Sequence, residues 1–217
     1  MANETNTRSP SAEAEEARVR AGLATLVERS RKLVPVLKER AAKTAQLRRL
    51  PDETVADLHE AGVFRCLQPR RVGGWELDYG CQLEIGAELG RGCGSTAWVA
   101  VLAASHHWLL GMFNAEAQDE VWGPSPDTLL STSWGLQRID AKPVPGGYRV
   151  SGHWKFSSGA DHCTWVQVFV PVSDGNGGVK PLVGLVPRKD YQVADAWFAH
   201  GLAGTGSNDI LIENAFI

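Results

Sequence analysis

The sequence predicts an α+β protein whose helical part comes first and whose antiparallel sheet or small barrel follows. Three observations carry this. Apolar residues recur at helical spacing between residues 18 and 124. After Gly123-Pro124 the pattern changes to short β-branched and aromatic runs. Those runs are separated by turn clusters such as Pro143-Val144-Pro145-Gly146-Gly147 and Asp174-Gly175-Asn176-Gly177-Gly178. Helices followed by strands, without βα alternation, segregate into separate layers.

Taken in order, residues 1–17 are polar and lack apolar periodicity, so they read as a mobile tail. Residues 18–124 form the expected helical domain and residues 125–217 the β domain. Leu23, Leu26, Val27, Val34 and Leu37 space a first long helix, which Pro35 should kink or break. A second, short helix starts at Pro51-Asp52-Glu53 and stops at Gly62. A third spans about Tyr79 to Arg91, a fourth Ser95 to Phe113 and a fifth Ala115 to Val121. On the fourth, Trp98, Leu102 and His106 follow at i, i+4 and i+8 and share one face. His107, about 100° further round, should face solvent. The strand-like runs are 129–138, 147–153, 164–171, 181–186, 191–197 and 210–217.

With 217 residues, 43% of them hydrophobic, the chain can bury a core as one large or two small domains. A net charge of −3 without basic blocks disfavours nucleic acid. Cys66, Cys81, Cys93 and Cys163 have neither metal-ligand spacing nor paired histidines, so no metal site is expected and the thiols read as reduced. No apolar run reaches membrane length, and the N-terminus lacks the apolar stretch of a signal peptide. The expectation is a cytoplasmic protein without a membrane partner.

The most informative stretch is Gly146 to Val170. It reads as two strands flanking Ser157-Ser158-Gly159, which on spacing alone make an ordinary hairpin with Trp154, Phe156 and Trp165 in a core. Two small hydroxyl residues and a glycine among aromatics also suit a backbone lying close to a flat ligand, with the rings as walls. Trp154-Lys155-Phe156-Ser157-Ser158-Gly159, with Asp161-His162 and Trp165, resembles the central strand of two-component flavin-dependent monooxygenases built on the acyl-CoA dehydrogenase fold. The resemblance extends to the branch of the p-hydroxyphenylacetate and secosteroid hydroxylases. Further matching motifs occur in order: Leu50-Pro51, Leu58 to Phe64, Gly73-Gly74, Gly94-Ser95-Thr96-Ala97-Trp98 and Gly204-Thr205-Gly206-Ser207-Asn208-Asp209.

That resemblance implies reduced FMN or FAD delivered by diffusion from a separate NAD(P)H:flavin reductase, and O2 as co-substrate. It implies hydroxylation of a phenolic or polycyclic aromatic substrate through a C4a-hydroperoxide. Ser157, favoured over Ser158, would hydrogen-bond flavin N5, and Phe156 would flank the ring system. Ser131, Thr132 and Ser133 would bond the pyrimidine edge. His106 would bind the substrate hydroxyl, and Trp98 would wall the substrate pocket. Read bottom-up, the same residues are a turn-capping hydroxyl, commonplace strand hydroxyls, a buried histidine and a core tryptophan. Asp161 reads as a turn-former and His162 at best as a support. The Gly204 to Asp209 loop lacks the lysine of a phosphate cradle and reads as a turn near the flavin.

True acyl-CoA dehydrogenases carry Thr-Glu-Pro and then Gly-Ser-Asp at the first strand; their absence here argues against oxidation of a CoA thioester. The family also implies a C-terminal four-helix bundle that builds an oligomer, and the sequence is read as lacking it. The alternatives are an acyl-CoA dehydrogenase-like oxidase, a nitrogen or sulfur oxygenase, or a non-catalytic remnant that binds flavin or a partner.

Overall fold

The computed structural model describes residues 10–217. The helices are α1 (Pro10–Leu47), α2 (Asp52–Ala61), α3 (Cys81–Gly90), α4 (Gly94–Leu110) and α5 (Ala115–Trp122). The strands are β1 (Leu130–Ser133), β2 (Gly135–Val144), β3 (Gly147–Ser157), β4 (Trp165–Ser173), β5 (Val179–Pro187), β6 (Tyr191–Ala194) and β7 (Asn208–Phe216). Helices precede strands, as the change of periodicity implies. Among the described residues no helix is long and apolar enough to cross a membrane.

Two expectations about α1 fail. The helix already includes residues 10–17, while residues 1–9 of the expected tail lie outside the described residues. Ala and Glu are strong helix formers, and Arg18 anchors this turn by pairing with Glu15 and donating 2.8 Å to the carbonyl of Trp75. Nor does Pro35 end the helix. It sits at an exposed position of the helix, where its ring does not intrude on the core. The opposite face buries Leu26, Val34 and Leu37 against α2 to α4.

The strands form two sheets. One has the order β1-β4-β5, with β1 parallel to β4 and β5 antiparallel; the other is the fully antiparallel β2-β3-β7-β6. Val150, Trp154 and Ile210 from the second sheet share one core with Val166, Val168 and Val186 from the first, so the two sheets pack face to face. The chain passes from one sheet to the other three times: at Trp134, between β1 and β2, at Ser157-Ser158-Gly159, between β3 and β4, and at residues 188–190, between β5 and β6. Thus β3 and β4 are not a hairpin. Gly159 is needed at that second crossing because its φ is +73° and an added Cβ would lie 2.9 Å from Val99 of α4. The close approach is to a helix, not to a ligand.

Trp154 is fully buried and its Nε1 donates 2.8 Å to the carbonyl of Phe169, tying the sheets together. Trp154→Phe keeps a ring but strands that carbonyl and leaves a void. We expect a loss of about 2 kcal/mol, read as a lower denaturant midpoint at unchanged slope.

Candidate functional site

A cavity of about 500 Å³ opens where α4 meets the first two sheet crossings. The i, i+4, i+8 stripe of α4 supplies Trp98, Leu102 and His106. Thr132 and Trp134 come from the first crossing, and Phe156 and Ser158 from the second. The loop before β7 adds Trp197, Leu202, Thr205 and Ser207.

His106 is buried, and its Nδ1 lies 2.8 Å from the carbonyl of Leu130. A carbonyl can only accept, so Nδ1 carries the proton and Nε2 keeps its lone pair. Burial pushes the imidazole down to about 4, partly opposed by the Leu130 bond, so the ring is neutral at physiological pH. The backbone around it is fixed by Gln167, whose amide donates 3.2 Å to the carbonyl of His106 and accepts 2.8 Å from Thr132 Oγ1. His107 does not face solvent. It is fully buried, 2.9 Å from the carbonyl of Phe64 through Nδ1, with its ring edge-on to Trp122. Helix α4 is covered by α3 on one side and β1 on another, so it has no wholly wet face.

The hydroxyl residues separate by strand alternation. Of Ser131, Thr132 and Ser133, only Thr132 lines the cavity. Ser131 and Ser133 are fully buried on the other face, with Ser133 Oγ bonded to the carbonyl of Lys155. Ser157 is likewise turned inward and wholly buried, its Oγ 3.4 Å from the carbonyl of Thr132. Ser158 takes the wall position expected of Ser157. The cause is a β-bulge: Trp154 pairs with Ile210 and Ser157 with Asn208, so Lys155 and Phe156 together oppose Asp209. The additional residue reverses the alternation, sending Phe156 out and Ser157 in.

Trp98 and Ser158 are brought together, the indole donating 3.2 Å to Ser158 Oγ, which also lies 2.7 Å from Ser207 Oγ. Thr205 Oγ1 extends this relay, 2.7 Å from Ser207 Oγ. His162 stands apart, 3.4 Å from an Arg49 nitrogen and pushed down to about 4 by burial and that guanidinium. Asp161 bonds Asn208 and forms a 3-10 turn, Ala160–His162.

Sequence reasoning missed Trp134, Trp197, Leu202, Thr205 and Ser207 as cavity residues. Trp134 was within reach, since alternation puts it on the face of Thr132. Trp197 and Leu202 lie in a loop without periodicity, because β6 stops at Ala194 rather than at Trp197.

Residues 14–125 match the family described as acyl-CoA dehydrogenase, N-terminal domain. The chain belongs to the acyl-CoA dehydrogenase family. Within this family it is 41% identical over 185 residues to the flavin-dependent monooxygenase oxygenase subunit HsaA of Mycobacterium tuberculosis, covering 85% of this chain and 47% of that protein. The crystal structure of that monooxygenase superposes with a TM-score of 0.85 over 90% of this chain and 51% of that one, at 39% identity. The oxygenase component of FADH(2)-dependent resorcinol hydroxylase from Rhizobium sp. is 36% identical, covering 88% of this chain and 47% of the relative. XiaF from Streptomyces sp., solved in complex with FADH2 and glycerol, gives a TM-score of 0.86 at 30% identity, covering 94% of this chain and 52% of that one. The chain therefore spans about half the length of these relatives.

A flavin is tested against this family member's own residues. Its ring system is flat and aromatic with a polar pyrimidine edge, and the cavity offers three indoles, a phenyl ring and four hydroxyls. Phe156 exposes 59% of its surface from a backbone at φ +65°, a costly conformation for a bulky residue. A planar ligand laid on that ring recovers the exposed area. The residues fit the group.

Proposed function

We propose that this chain forms part of the oxygenase component of a two-component flavin-dependent monooxygenase that hydroxylates a phenolic or polycyclic aromatic compound. The observation that carries this is His106: a neutral imidazole with a fixed tautomer, set in the wall of an aromatic cavity beside a row of hydroxyl groups. Bound reduced FMN or FAD supplies the activation of O2. Nε2 of His106 accepts the substrate's phenolic hydrogen bond and raises the electron density of the ring to be attacked. Ser158 presents its hydroxyl to the flavin's polar edge, and Trp98 fixes that hydroxyl in place. Indole and phenyl walls exclude water. A separate NAD(P)H:flavin reductase supplies reduced flavin, as the naming of the relatives as oxygenase subunits or components supports.

The reading is tested by supplying the protein with an NADH:flavin reductase, FMN or FAD and a panel of phenols under ¹⁸O2. Labelled catechol-type products are expected; flavin reoxidation that is equally fast with and without the protein, and unlabelled phenols throughout, overturn it. Ser158→Ala is expected to uncouple NADH use from product about tenfold, because one hydrogen-bonding group facing the cofactor is lost. Ser157→Ala, inside the sheet, should leave coupling within about twofold. Simultaneous assay of NADH, product and released peroxide separates the two serines.

A further inference from the structure

Asn208 and Asp209, consecutive residues at the start of β7, stand outside the cavity yet each grips the backbone of one of its aromatic walls. Asp209 Oδ1 accepts from the amide of Phe156 at 3.4 Å, and its Oδ2 lies 2.6 Å from His153 Nε2. Asn208 Oδ1 accepts from the amides of both Ala196 and Trp197 at 3.2 Å. Both side chains are almost wholly buried. The two rings that they serve meet edge to face, centroids 6.1 Å apart at 81°.

The arrangement answers two structural problems. The bulge leaves the Phe156 amide opposite a side chain rather than a ladder carbonyl, and it places a phenylalanine where glycine is usual. A carboxylate facing that amide stabilises the bulged conformation, and His153 fixes the carboxylate. The segment after β6 has left the sheet, so the Trp197 amide has no strand partner, and Asn208 supplies one.

We infer that Asn208 and Asp209 are positioning residues, a two-sided clamp that sets the Phe156–Trp197 ring pair against which the flavin or its aromatic substrate lies. The identity of that ligand rests on the function proposed above; the clamp itself does not. This gives a role to the end of the Gly204 to Asp209 motif beyond that of a turn.

Amide hydrogen exchange by NMR on the intact chain reads the clamp directly. Asp209→Ala should speed exchange of the Phe156 amide at least about tenfold relative to that of Trp154, and Asn208→Ala should do the same at Ala196 and Trp197. Asp209→Asn retains an accepting oxygen and should stay near wild type. Both alanine variants should weaken FMN binding, followed by flavin fluorescence, by about tenfold. Unchanged exchange overturns the clamp, and faster exchange with unaltered FMN affinity overturns its positioning role. If the wild-type chain takes up no FMN, the flavin reading falls instead. The indole N–H resonance of Trp197 then decides: displacement in both alanine variants supports the clamp, and an unmoved resonance refutes it. Should Asp209→Ala fail to fold, Asn208→Ala carries the test through the Ala196 and Trp197 amides.

Discussion

His106→Ala is expected to lower the hydroxylation proposed above by roughly 10²–10⁴-fold, the range of a well-placed acid or base group, while the affinity for reduced flavin changes little. The expectation follows from how the ring is held. Leu130 fixes one nitrogen as a donor, so the other can only accept, and among the groups that line the cavity an imidazole nitrogen is the strongest acceptor for a phenol. A phenol that lacks that acceptor keeps its proton tightly and remains a poor nucleophile. His106→Gln offers an amide oxygen of similar reach and should recover part of the loss. Because the imidazole stays neutral down to about pH 4, the rate should show no His106 limb between pH 5 and 8. Normal product yield from His106→Ala removes it from the site, whereas parallel loss of flavin affinity assigns it a structural role instead.

Acidification is expected to destabilise the protein steeply between pH 6.5 and 4, with the fully buried pair His106–His107 as a source beside the less buried His162. Both rings are pushed from 6.5 to about 4, by burial first and, for His107, also by its neighbour. Above pH 6.5 neither the folded nor the unfolded chain charges these rings, and the stability they permit is complete. As pH falls from 6.5, the unfolded chain takes up protons that the folded chain refuses until about pH 4, so the balance moves toward unfolding. At ~1.4 kcal/mol per pH unit, each histidine removes about 3 kcal/mol across this window, a large share of a typical domain's stability. Urea titrations from pH 7.5 to 4.5 read the slope. His107→Gln, whose amide can still donate to Phe64, should make the acid limb visibly shallower; an identical slope assigns the acid sensitivity to other groups.

Order and class of the elements were legible because periodicity reports burial on one face, which both the helices and the β strands of this chain have. The α4 stripe was legible for the same reason, and Trp98, Leu102 and His106 do line one cavity. What escaped were departures from regularity. The bulge at Phe156 inverts the alternation, which puts Ser158 rather than Ser157 on the cavity wall. Pro35 reads as a break because the sequence does not say which face meets solvent. His107 looks exposed on a two-sided helix and is not, since a third layer covers it. Trp197 and Leu202 depend on tertiary placement of a loop, held by Asn208 and by the indole's own bond to the carbonyl of Leu202.

The burial of α4 on several sides also governs how this site can diversify. A substitution at Trp98 or His106 is transmitted at once to the Ser158 relay or to β1, so a change of ligand preference made there is coupled to a loss of stability. The loop carrying Trp197 and Leu202 meets the same cavity but contributes little to either core. A ligand of different shape is therefore most readily accommodated through that loop, with α4 acting as the fixed anvil against which it is fitted.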